Sequence, residues 1–121
     1  MADEQKTKME SPFACDMSAI KSDQRPQHIA TAGQLFRAVE SIRELRDGYA
    51  FQLPYESNTL QLIAEFISLE RLCCPFFGFT IEIEPEGGGV WLQLTGREGV
   101  KPFIRAEIGE FLGAGITHFE P

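Results

Sequence analysis

A chain of 121 residues with 43% hydrophobic content and ten phenylalanines has room for one domain and for a packed core that needs no staples. Its formal charge of −7 repels phosphate backbones and anionic lipid, which argues against nucleic acid and membrane partners and leaves a cation as a fitting one. No apolar run approaches the roughly 18 residues that a membrane-spanning helix needs.

Residues 1–12 mix both charge signs without an apolar stretch, which predicts a disordered tail and no secretory signal. The single domain is expected over 13–121. Phe13, Cys15, Met17 and Ala19 alternate, predicting a short strand over Phe13–Ile20. Leu35, Phe36, Val39 and Ile42 share one helical stripe, so a helix is expected over His28–Ser41. Arg46-Asp47-Gly48 between Ile42–Leu45 and Tyr49–Leu53 signals a hairpin. Ser57 and Asn58 are capping residues for a helix over Thr59–Cys73, which ends because Pro75 disfavours helical geometry at Cys74.

Phe77, Phe79, Ile81 and Ile83 alternate with polar residues and pair, across the turn Pro85-Glu86-Gly87-Gly88-Gly89, with Val90, Leu92 and Leu94. That register leaves Trp91 on the outward face, suited to a contact in a homodimer. A last helix is expected over Gly99–Leu112. The order β-α-β-β-α-β-β-α implies a two-layer α+β fold, a mainly antiparallel sheet of hairpins packed by about three helices.

Leu60, Ile63, Ile67, Glu70 and Cys74 follow one another at helical spacings of three and four. Glu70 therefore interrupts an apolar face and points the same way as a thiol. A buried lone carboxylate costs several kcal/mol, so it must be paired, protonated or metal-bound. Arg37, Arg43 and Arg105 are the candidate arginine partners. Cys73 and Cys74 cannot readily bond each other, because neighbouring Cα atoms lie about 3.8 Å apart and disulfides need at least about 4.4 Å. Three cysteines with no secretory signal favour free thiols or metal ligands in a reducing cytosol, which makes cytoplasmic residence the default.

A thiol at a helix C-terminus faces the negative end of the dipole, which raises its pKa and suits coordination better than nucleophilic attack. Adjacent cysteines splay about 100° apart on a helix, so a closed site must recruit distant ligands. Cys15 is the obvious third sulfur and His28 a nitrogen ligand. A set of Cys73, Cys74, Glu70, Cys15 and His28 suits a soft ion such as zinc, copper(I) or Hg²⁺.

Glu70-x-x-Cys73-Cys74-Pro75-Phe76, with the run Cys15–Ile20, His28 and the Asp47-Gly48-Tyr49 turn, resembles a group of small uncharacterised bacterial proteins. The likeness covers most of residues 13–112. Some similar segments occur in proteins tied to heavy-metal response, so the resemblance implies one domain and points to Cys15, Glu70, Cys73 and Cys74. Three readings stay open: a soft-metal-binding protein, a non-catalytic homodimeric interaction module whose cysteines are core residues, and a thiol enzyme with Glu70 as general base.

Overall fold

The computed structural model describes residues 11–112. The expected tail over 1–12 therefore lies almost wholly outside the described residues. The order is α1 (Arg25–Arg37), β1 (Ser41–Leu45), β2 (Gly48–Leu53), α2 (Ser57–Cys73), β3 (Gly78–Glu84), β4 (Gly89–Thr95) and α3 (Val100–Gly109). Four strands form one antiparallel sheet in the order β1-β2-β4-β3. The α+β architecture follows the periodicity of the sequence.

The chain enters through 3₁₀ turns at Met17–Ala19 and Ser22–Gln24, not through a strand. The alternation of Phe13, Cys15 and Met17 is real, since each is half-buried between exposed neighbours. Asp16 redirects the backbone: its carboxylate accepts from the Ser18 N–H at 3.0 Å, a local turn bond that competes with sheet pairing. Helix α1 starts three residues before the expected point, because Pro26 fits the first turn of a helix. His28 is thereby turned inward and is only 4% exposed.

The side chains of Tyr49, Phe51, Leu53, Val90, Leu92 and Leu94 are buried on the sheet face that meets the helices. Phe36 of α1 stands edge-on to Phe51 at 5.3 Å and to Phe66 of α2 at 5.2 Å. Arg105 of α3 donates to the Tyr49 hydroxyl at 2.7 Å. The opposite face carries Arg43, Gln52, Trp91 and Gln93. Trp91 does project from that face, but it is 6% exposed and lies under the Arg43 guanidinium at 4.1 Å. The cation covers the ring, so it is not the open aromatic surface that the strand register suggested.

At the edge of the sheet, Ile81 and Ile83 remain 43% and 52% exposed, and among the described residues no helix packs extensively on β3. The two-residue connection Arg46-Asp47 closes the first hairpin as expected. Gly48 serves a different need from turn conformation. A Cβ there would sit 1.9 Å from the Leu94 carbonyl oxygen on β4. Gly48→Ala is therefore expected to lose about 2 kcal/mol or more through backbone displacement, read as a lower midpoint in urea unfolding.

Candidate functional site

Four segments meet at the C-terminal end of α2. The helix stops where Pro75 pushes Cys74 out of helical geometry, to φ −128° and ψ 70°. That departure removes the splay expected of adjacent helical residues. The Cys73 and Cys74 sulfurs converge to 3.6 Å.

Cys15 comes from the entry segment, which is docked on α2 by a backbone bond from the Asp16 N–H to the Cys73 carbonyl at 2.8 Å. With Cα atoms 4.7 Å apart, Cys15 and Cys74 are joined in a disulfide across a sequence separation of 59. The expectation of free thiols throughout is corrected here: spatial proximity that spacing could not reveal pairs two of the three cysteines. Cys73 alone keeps its thiol, and it is buried.

Glu70 lies one turn before Cys73 and is 6% exposed. None of the arginines considered from sequence is its partner. His28 donates Nε2–H to Glu70 Oε1 across 2.8 Å, and its ring stacks against Phe66 at 5.7 Å. The carboxylate is thus satisfied through an imidazole that the early start of α1 aims inward. His28 Nδ1, also buried, has no hydrogen-bond partner.

The Cys73 thiol is 3.7 Å from Glu70 Oε1. Burial, reinforced by the neighbouring Glu70 charge, pushes its pKa up to about 12. About one molecule in 10⁵ would hold the thiolate at pH 7. The order of groups is thiol, carboxylate, imidazole, so the imidazole contacts Glu70 and not the sulfur, and the group beside the sulfur is one whose charge opposes a thiolate. Exchange with the disulfide is also poorly aligned. Collinear attack at Cys74 would set the Cys73 and Cys15 sulfurs about 5.6 Å apart, given an ordinary S–S bond. Instead they lie within 4.8 Å.

The Cys15, Cys73 and Cys74 sulfurs and a Glu70 oxygen all fall within 4.8 Å of one another. Among the described residues this is a group able to hold a metal ion, and it contains four of the five ligands expected from sequence. His28 stands behind it, as the hydrogen-bond partner of Glu70. The adjoining cavity measures about 60 Å³ and is walled by Met17, Ile29, Ala32, Phe66, Ile108 and Phe111. Organic ligands typically occupy about 300 Å³ or more, so this space suits an ion and a few waters.

Glu107 of α3 also lines the cavity, and burial followed by repulsion from Glu70 raises its pKa. Sequence reasoning passed over Glu107, Met17 and Phe66. For Glu107 a signal was present: it lies three residues after Ile104 and beside Ile108, at the margin of the apolar stripe.

No protein-family model, curated protein or solved structure matches this chain. Among the described residues, no helix is long and apolar enough to cross a membrane.

Two outcomes follow from these groups. Unreduced native protein at pH 7.5 should leave Cys73 unalkylated by iodoacetamide over hours, whereas denatured, unreduced protein should take up one label per chain, counted by intact mass. Glu107 binds its proton more tightly folded than unfolded, so its contribution is most favourable at low pH and is lost as pH rises through the folded pKa. Glu107→Gln should therefore raise Tm at pH 7 by about 2 °C, a few tenths of a kcal/mol in a domain of this size, and give no gain at pH 4. Calorimetry at the two pH values checks the sign.

Proposed function

We propose that this protein binds a soft divalent or cuprous ion through the sulfurs of Cys15, Cys73 and Cys74 in their thiol form, with Glu70 supplying an oxygen. The observation that carries this reading is the gathering of four donor atoms within 4.8 Å. In a tetrahedral zinc–thiolate site, with metal–sulfur bonds near 2.3 Å, neighbouring sulfurs lie about 3.8 Å apart. The Cys73 and Cys74 sulfurs already stand 3.6 Å apart. Reduction frees Cys15 and Cys74 to relax toward the same spacing.

Electrostatics favours the same occupant. Glu70 and Glu107 make the pocket hostile to a bare thiolate, and a cation reverses that balance by deprotonating the thiols it binds. His28 acts on the ion indirectly: its bond to Glu70 orients the carboxylate, as hydrogen-bonded partners of metal ligands commonly do. The net charge of −7 attracts cations over the whole surface. A thiol enzyme is the weaker reading, because burial and the neighbouring Glu70 charge raise the Cys73 pKa where a nucleophile needs it lowered.

The test is a titration of fully reduced, desalted protein with Cd²⁺ under nitrogen, followed by thiolate-to-metal charge-transfer absorption. One ion per chain is expected. Cys73→Ser should weaken binding by more than about 10-fold, the least seen when even a supporting partner of a ligand is removed. Reduced wild type and Cys73→Ser binding Cd²⁺ equally would overturn the assignment.

A further inference from the structure

We infer that the Cys15–Cys74 disulfide and the bound cation are alternative occupants of the same two sulfurs, so that oxidation ejects the ion and reduction readmits it. This rests on the soft-metal reading above and concerns its regulation.

Three observations carry the inference. First, the disulfide consumes two of the three sulfurs in the donor group and spares the third. A disulfide sulfur carries no negative charge, so the oxidised site is left with the single sulfur of Cys73 and the Glu70 carboxylate. Thiolates are the species that hold soft ions, and one sulfur is too few for a closed site.

Second, the interchange needs little rearrangement. Cys15 sits in a short segment that the Asp16–Cys73 backbone bond keeps against α2, so the Cys15 and Cys74 sulfurs need only part to thiolate spacing for one occupant to replace the other. Third, Cys73 is protected from becoming a competing disulfide partner. Its thiol is buried, and it is not collinear with the Cys15–Cys74 bond. Oxidation is thereby directed to one pair, which is what a reversible device requires. A disulfide that forms in a reducing compartment is characteristically transient and redox-sensing.

The chemistry balances with a small-molecule disulfide as the oxidant. The three thiolates release the cation with its full charge; Cys73 takes up a proton from solvent, and Cys15 and Cys74 together give up two electrons. Their sulfurs join, the S–S bond of the oxidant breaks, and two small-molecule thiolates leave. A dithiol reductant runs the sequence backwards, returning two electrons and two protons before the cation displaces those protons and the one on Cys73.

The experiment loads reduced protein with Cd²⁺ and adds oxidised glutathione in steps. Free Cd²⁺ is read with a chelating dye, and the Cys15–Cys74 linkage by non-reducing peptide mapping. One Cd²⁺ released for each Cys15–Cys74 bond formed, with uptake restored by reduction, is the expected result. Cys15→Ala should keep its ion through an oxidant step that empties wild type, while binding it less tightly. Formation of the disulfide with Cd²⁺ retained would overturn the gate and leave the metal reading standing. Release without the disulfide would do the same. Failure of the reduced protein to take up Cd²⁺ at all would remove the metal reading and the gate together.

Discussion

The docking of the entry segment on the end of α2 is the constraint on which the rest of the site depends, and the Cys15–Cys74 disulfide is its covalent part. The disulfide closes a loop across 59 residues, and a cross-link of that span is worth about 4 kcal/mol in the chain-entropy account. Its local consequence matters more. The entry segment has no regular structure longer than a 3₁₀ turn, and it is held over the end of α2 by this bond and by the Asp16–Cys73 hydrogen bond. Phe13 extends the attachment, edge-on to Phe76 at 5.2 Å and stacked near Phe103 at 6.3 Å, with the Arg97 guanidinium 4.2 Å from its ring. Without that anchorage Cys15 and Met17 would not line the cavity.

Burial of anions is the second theme. Glu70 is nearly fully removed from water, Glu107 partly so, and the Cys73 sulfur lies beside Glu70. An apolar residue at position 70 would fill a core of this kind with less risk, since replacing a buried polar group by a well-packed hydrophobe is often neutral or stabilising. Here the carboxylate is retained and given a dedicated hydrogen bond from His28. Local departures from a consistent pattern tend to mark functional positions. A cation would offset the buried charge of Glu70 and Glu107 together, which links the electrostatic cost to the chemistry proposed for the site.

Much of the architecture was readable along the chain because it rests on periodicity. Alternation over Tyr49–Leu53 and Val90–Leu94, the burial of Ile63 on its helical stripe, and the stop at Pro75 each report a local rule that tertiary packing did not override. Glu70, Cys73 and Cys74 stood out for the same reason, as polar groups on an apolar helix. Two readings failed where a local competitor prevailed. Asp16 turned an alternating segment away from the sheet, and Arg43 folded over Trp91.

Which atoms meet belongs to a different order of information. Periodicity says which way a side chain faces but not what comes to lie opposite it. The pairing of Cys15 with Cys74, the choice of His28 over three arginines for Glu70, and the arrival of Glu107 at the same cavity all join residues distant in sequence. Such contacts arise only when separate elements dock, because their geometry depends on helix ends, crossing positions and the exit angle at Cys74, none of which a one-dimensional pattern encodes. The chain therefore announced its fold and the helix end where Glu70, Cys73 and Cys74 gather, while packing in three dimensions selected the partners and joined two of its sulfurs.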